Sequence, residues 1–123
     1  MTFPTPNIKI TNTDVSDELK VLLERKLQPL GRYLGEETDV VCDAEFEKVT
    51  PSESGPIFRL EINLQVAGTL HRAEATLDSF EAAIDEVRDE LDKELRRKHK
   101  KQDTLFKKGG RKIKEMMRFG GRS

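Results

Sequence analysis

The chain has 123 residues, which suits one domain with a modest hydrophobic core and excludes two separate cores joined by a linker. Its net charge of -1 averages two opposite regions, because residues 1–92 hold nine Lys/Arg against twenty Asp/Glu, whereas residues 93–123 hold thirteen against three. This asymmetry predicts a polyanionic partner, and the single cysteine, Cys42, excludes an intramolecular disulfide and a Cys-rich zinc site.

The N-terminal region predicts a short extension and a strand. Two prolines in MTFPTP and the lack of periodicity indicate a flexible extension over residues 1–6, although Phe3 could pack against the domain. Ile8 and Ile10 then alternate with polar residues, as in a half-buried strand.

A helix is predicted next, with Ser16 as its N-cap and carboxylates in its first turn. Its apolar residues recur at three- and four-residue spacings and are Val15, Leu19, Leu22, Leu23, Leu27, Leu30 and Leu34. Pro29 removes a helical hydrogen bond, so we expect a kink or a helix that ends near Leu27.

Three strands follow, in DVVCDAEFEKV, IFRLEINLQV and TLHRAEATL, each with one apolar and one polar face. The dipeptide Ala67-Gly68 predicts a tight hairpin between the last two strands. The polar face is expected to be acidic; it could bind cations, but a solvated strand face is the favoured interpretation of Asp43, Glu45, Glu47, Glu61 and Glu74.

A second helix has the strongest signal in the chain, with Asp78 and Glu81 in capping-box spacing. Its apolar stripe comprises Phe80, Ala83, Ile84, Val87, Leu91 and Leu95. Continuing that stripe reaches Lys98 and Gln102, so the helix should run past the edge of the domain. The element order β-α-β-β-β-α predicts an α+β fold, with a four-stranded sheet and two helices on one face.

The end of this helix, KELRRKHKK at residues 93–101, holds six Lys/Arg. Five of them form a stripe at helical spacings i, i+3, i+4, i+7 and i+8, which we call the basic stripe: Lys93, Arg96, Arg97, Lys100 and Lys101. Such a stripe favours binding to a nucleic-acid strand, because its cations attract the phosphates and release the counterions condensed on them. A solubilising, solvated helix end is the alternative.

Residues 103–123, the tail, contain two Gly-Gly pairs and are predicted to be flexible, with a short helix forming on contact with a partner. Their candidate contact residues are Lys107, Lys108, Arg111, Lys112, Lys114 and Arg118. Phe119 and the Met116-Met117 pair are as well suited to a hydrophobic cleft on a protein as to RNA. Binding to an anionic membrane is a weaker alternative.

An enzyme is not indicated. His71 lies in a predicted strand and His99 in the basic helix, and no zinc-protease, CxxC, phosphate-loop or nucleophile-elbow motif is present. We expect no catalytic residue, metal, cofactor, small-molecule substrate or membrane partner. The first residues lack the basic and apolar regions of a signal peptide, which predicts a cytoplasmic protein.

Three segments carry a family resemblance: NIKITNTDVSDELKVLLERKLQPLGRYLGE, FEKVT and LHRAEATLDSFEAAIDEVRDELDKELRRKHKK. They resemble the ribosome hibernation-promoting factor family, also called ribosome-associated inhibitors or sigma-54 modulation proteins, and the similarity covers about residues 7–102. It implies a fold similar to double-stranded-RNA-binding domains. It also implies binding to the small ribosomal subunit, in the channel used by messenger and transfer RNA, and silencing of translation in stressed or stationary-phase cells.

The resemblance also suggests which residues contact 16S rRNA. On the first helix they are Lys26 and Arg32; on the second they are Lys93, Arg97, Lys100 and Lys101, with Arg25 and Arg96 as weaker candidates. Pro29 departs from the family, since relatives tend to place a cation there. The tail is basic where short relatives can be acidic, so we expect it to make its own contact with RNA or with a ribosomal protein. It is also too short for the ribosome-pairing domain of long members.

The domain organisation expected is therefore an extension over residues 1–6, a ribosome-binding α+β domain over residues 7–102 and the tail over residues 103–123. Two other functions stay open at this stage. One is a protein-interaction module of the sigma-factor-modulation type, and the other is a general structured-RNA-binding protein without preference for the ribosome.

Overall fold

The computed structural model describes the backbone of residues 3–119 and the side chains of residues 3–99. Its elements are β1 (Asn7–Thr11), α1 (Asp17–Leu27), a 3-10 helix (Gln28–Tyr33), β2 (Val40–Lys48), β3 (Phe58–Val66), β4 (Thr69–Leu77) and α2 (Phe80–Phe119). The strands form one sheet in the order β1-β2-β3-β4, with β1 parallel to β2 and the other pairs antiparallel. The predicted α+β fold and element order are confirmed.

Local signals in the first helical region act as the sequence predicts. The Ser16 hydroxyl accepts a hydrogen bond from the Leu19 backbone N–H at 3.1 Å, so Ser16 caps α1. α1 ends at Leu27, and Pro29 lies at the start of the 3-10 helix, where its missing N–H costs no helical hydrogen bond. The 3-10 helix therefore continues directly from α1, and it places Arg32 and Tyr33 in contact with α2.

The start of α2 differs from the prediction by one residue. Ser79, not Asp78, caps the helix: its hydroxyl accepts from the Ala82 N–H at 3.1 Å, and its carbonyl accepts from the Ala83 N–H at 3.1 Å. The capping side chain must immediately precede the first helical residue, which is Phe80, and Asp78 stands one position too early.

The hydrophobic core lies between one face of the sheet and the two helices. Phe80 packs edge-on against Phe46 and Phe58, with ring centroids 5.1 and 5.0 Å apart, and so anchors the start of α2 to the sheet. The whole predicted apolar stripe of α2 is buried, through Leu95. Cys42 is buried in the same core, and desolvation raises the pKa of its thiol to about 12, consistent with a packing role.

Residues 3–6 are joined to the core through Phe3, the alternative that the sequence left open. Phe3 is only 1% exposed within the core, and its carbonyl accepts a hydrogen bond from the Gln28 amide at 3.3 Å. A single phenylalanine carries no periodicity, so the sequence pattern around it could not show that its ring is needed to close the core.

The described backbone of the C-terminal region is helical. α2 continues through Phe119, and its 40 residues include residues 103–119 of the tail. Most of these residues are good helix formers, and each glycine in a helix costs only about 1 kcal/mol relative to alanine. The mobility of this segment in solution stays a prediction, and its side chains lie outside the described ones.

Candidate nucleic-acid interface

The basic stripe begins where α2 is still held against the sheet. Leu91 and Leu95 are buried in the core, whereas Lys93 and Arg97 lie on the opposite side of the helix and are exposed. Among the side chains of residues 3–99, neither Lys93 nor Arg97 has an ion-pair partner. The packed helix therefore fixes the backbone from which these two cations project, and their charged groups remain available to an anionic ligand.

Two predicted sites of the first helical region are in contact with α2. The Lys26 ammonium lies 3.0 Å from the Asp85 carboxylate, and the Arg32 guanidinium lies 3.4 Å from that of Asp92. The Lys26 side chain is 33% exposed and that of Arg32 64%, so both can still reach a ligand. Any anionic ligand would have to compete with these carboxylates, whereas Lys93 and Arg97 have no such competitor among the described side chains.

Asp92 brings the two helical regions together, a role that sequence analysis missed. One of its oxygens accepts from the Tyr33 hydroxyl at 2.9 Å and from Arg32, while the other lies 4.0 Å from the Arg96 guanidinium. Arg32 also lies over the Tyr33 ring, 4.8 Å from its centroid, and donates to the Tyr33 hydroxyl at 2.8 Å. That hydrogen bond is the main cause that raises the pKa of Arg32, so the guanidinium stays charged.

The remaining predicted contacts lie on the same helix, but their side chains fall outside the described residues. The backbone of α2 includes all of them: Lys100, Lys101, Lys107, Lys108, Arg111, Lys112, Lys114 and Arg118. Their part in the interface stays a prediction.

The outer face of the sheet is acidic, as expected, and an arginine lies at its centre. The Arg59 guanidinium contacts Glu45, Glu47, Glu61 and Glu74 at 3.7, 3.0, 2.9 and 2.6 Å. Burial alone would lower the pKa of Arg59, but the hydrogen bond and charge of Glu74 outweigh it and raise that pKa, while the same bond lowers the pKa of Glu74. Within the described residues, no group of His, Cys, Asp or Glu side chains is arranged to hold a metal ion.

The two surfaces have opposite net charge, since four carboxylates of the sheet face share only two arginines, whereas the exposed cations of α2 point away from the core. A polyanion would meet repulsion on the first surface and attraction on the second. None of the described helices is long and apolar enough to cross a bilayer.

Comparison with known proteins identifies the family. The family model for the sigma 54 modulation protein / S30EA ribosomal protein matches residues 7–103. The chain belongs to this family. The match begins at the first residue of β1 and ends within α2, beyond the five positions of the basic stripe.

Individual relatives agree with this assignment. The chain is 33% identical over 86 residues to a ribosome hibernation promotion factor of Deinococcus radiodurans, an alignment that covers 70% of this chain and 44% of that protein. The chain thus spans less than half the length of this relative.

Solved structures share the fold at lower identity. The N-terminal domain of Protein Y from Thermus thermophilus superposes with a TM-score of 0.63 and 24% identity, over 76% of this chain and 98% of that domain. A ribosomal subunit interface protein from Coxiella burnetii gives a TM-score of 0.55 and 21% identity, over 73% and 93% of the two chains.

Proposed function

We propose that the protein is a non-catalytic ribosome hibernation factor, which binds 16S rRNA in the decoding channel of the small subunit and in the 70S ribosome. The observation that carries the proposal is the pair Lys93 and Arg97, exposed and without an ion-pair partner among the described side chains, on the side of α2 opposite its buried stripe. The names of the relatives, a hibernation promotion factor and a ribosomal subunit interface protein, support it.

The mechanism is steric. The basic stripe binds rRNA phosphates, which are spaced along a strand and release condensed counterions when a row of cations replaces them. Lys26 and Arg32 add contacts at the cost of their pairs with Asp85 and Asp92. The acidic sheet face is repelled by rRNA, so it turns away and fixes the orientation in which the body excludes messenger and transfer RNA. Translation is inhibited in the cytoplasm of stressed or stationary-phase cells.

Occlusion is tested by competition. Small subunits incubated with the protein are expected to lose binding of a labelled messenger RNA and of initiator transfer RNA, with half-displacement at a protein concentration that matches its own Kd. Adding the RNAs first should slow binding of the protein. Simultaneous, non-competing binding of the protein and both RNAs would contradict occlusion.

The tail is proposed as a secondary anchor, through Lys107, Lys108, Arg111, Lys112, Lys114 and Arg118. A variant that stops after residue 102 should bind small subunits more weakly, by about tenfold or more, because even one charge-assisted hydrogen bond to phosphate is worth about 1.5–3 kcal/mol. It should still bind, because Lys93 and Arg97 remain. Complete loss of binding in a variant that keeps the wild-type unfolding temperature would make the tail the principal anchor.

A second candidate is a protein-interaction module whose basic end binds an acidic protein, which the sigma 54 modulation description of the family favours. Nuclease treatment separates the two, since an RNA-dependent complex falls apart and a protein complex persists. A general structured-RNA-binding protein is distinguished by competition with unrelated structured RNA, which should displace it from ribosomes as effectively as rRNA.

A further inference from the structure

A cleft of about 270 Å³ lies between the 3-10 helix, the turn that joins β3 to β4, and α2. Its walls include an aromatic ring, two imidazoles, an ammonium group and a carboxylate, from Tyr33, His71, His99, Lys98 and Glu37. None of these groups belongs to the basic stripe. The cleft nevertheless adjoins it, because Lys98 and His99 directly follow Arg97 on α2.

A buried histidine fixes the ammonium group in this cleft. His71 is only 3% exposed; its Nδ1 lies 3.1 Å from a Glu94 carboxylate oxygen, and its Nε2 lies 3.3 Å from the Lys98 Nζ. With Glu94 accepting at Nδ1, Nε2 is the acceptor for Lys98. A lysine ammonium has three protons and this contact uses one, so Lys98 is oriented and can still donate to an anion.

Two aromatic side chains line the opposite part of the cleft. The Tyr33 and His99 rings pack against each other with centroids 6.1 Å apart and a 59° tilt, so a flat ligand would stack on the exposed His99 ring and not between the two rings. The Arg32 guanidinium already lies over the Tyr33 ring, which holds that ring in place. Side chains of this kind stack on unpaired nucleobases, and such stacking tolerates any base.

The cleft is preformed by backbone contacts. The Ala67 N–H donates to the Asp39 carbonyl at 2.8 Å and the Glu37 N–H to the Leu34 carbonyl at 3.1 Å, which joins the hairpin turn and the 3-10 helix to the intervening loop. The Glu37 carboxylate accepts from the Asp39 N–H at 3.0 Å, and it can also accept a ribose hydroxyl. A preformed site avoids the ordering cost of binding.

We infer that this cleft binds one unpaired nucleotide, with the phosphate on Lys98, the base against His99 and Tyr33, and the ribose toward Glu37. Its volume, slightly below the range of about 300–1,000 Å³ usual for small-molecule sites, suits a single nucleotide. The nucleotide comes from rRNA, in which case the inference rests on the proposed function; a free mononucleotide offers the same chemistry, and the experiment distinguishes the two.

The test is an NMR titration of the ¹⁵N-labelled full chain with adenosine 5′-monophosphate, with inorganic phosphate as the parallel probe. Saturable shifts are expected at the amides of Thr69, His71 and His99 with the nucleotide and not with phosphate at the same concentration. Lys98→Met should weaken nucleotide binding by about tenfold or more, because a hydrogen bond to a charged group is removed. His99→Ala should weaken it too, and Lys9→Met, a matched charge removal on β1, should not.

Co-sedimentation of Lys98→Met and His99→Ala with small ribosomal subunits identifies the source. Weaker binding of both variants assigns the cleft to an rRNA nucleotide, whereas unchanged binding assigns it to a free nucleotide. The absence of saturable shifts at the cleft overturns the inference and leaves the proposed function intact, since wild-type binding to the subunit is measured separately. Conversely, if the protein shows saturable shifts but does not bind ribosomes, the nucleotide site is supported and the proposed function is rejected.

Discussion

Replacing Lys93, Arg97 and Lys100 together by glutamate is expected to weaken binding to the small subunit by about a thousandfold or more. Each charge-assisted hydrogen bond to phosphate contributes about 1.5–3 kcal/mol, and each tenfold in Kd corresponds to about 1.4 kcal/mol. The new carboxylates add repulsion from the same phosphates. Lys93 and Arg97 are exposed beyond the buried stripe, so the free energy of unfolding should change little. Affinity is read by quantitative co-sedimentation.

The matched control is Lys9, Lys20 and Lys48 replaced by glutamate, which makes the same change in net charge on β1, α1 and β2. The control should weaken binding much less than the first variant, because it reduces only the long-range electrostatic attraction between the protein and the ribosome. Equal effects of both variants would mean that net charge, and not the basic stripe, governs binding. Unchanged binding of the first variant would remove the basic stripe from the interface.

Salt dependence has the second largest expected effect. If the protein replaces about six to ten phosphate counterions, its affinity for the small subunit should fall by about a thousandfold to a hundred-thousandfold between 50 and 200 mM salt. Log Kd plotted against log salt concentration should be linear, and its slope gives the number of phosphates bound. Fluorescence anisotropy of the labelled chain over this salt range measures it.

Single substitutions refine the salt experiment. Lys93→Gln should reduce the slope by about one, whereas Lys9→Gln on the sheet face should leave it unchanged. An affinity that is insensitive to salt would indicate an interface built on apolar or neutral polar contacts, and it would favour the protein-interaction alternative.

The fold was predictable wherever local patterns repeat. Period-two alternation in the strands and the apolar stripe of α2 predicted the elements, and Ala67-Gly68 predicted the hairpin. Pro29 predicted either a kink or a helix end near Leu27, and the structure has the second. At Ala67 and Gly68 the backbone takes φ values of 50° and 83°, as a tight hairpin turn requires. The prediction was wrong at the cap of α2, since a cap depends on the exact helix start. The packing of Phe3 stayed open at the sequence level, since one buried ring leaves no pattern.

The candidate site was predictable only along one helix. The spacing of the basic stripe predicted that Lys93 and Arg97 lie on one face of α2, because side chains four residues apart share a face of a helix. The partners of Lys26 and Arg32 were not predictable, since Asp85 and Asp92 lie far along the chain and reach them through the packing of α2. The same holds for Lys98 and His71, 27 residues apart on two elements.

The measurement that tests the central claim most directly is co-sedimentation of the purified chain with separated small subunits, large subunits and whole ribosomes at low and moderate salt. Saturable binding near one copy per small subunit is expected, retained in whole ribosomes and absent from large subunits. A chain that stays in the supernatant with small subunits even at low salt would contradict the proposed function.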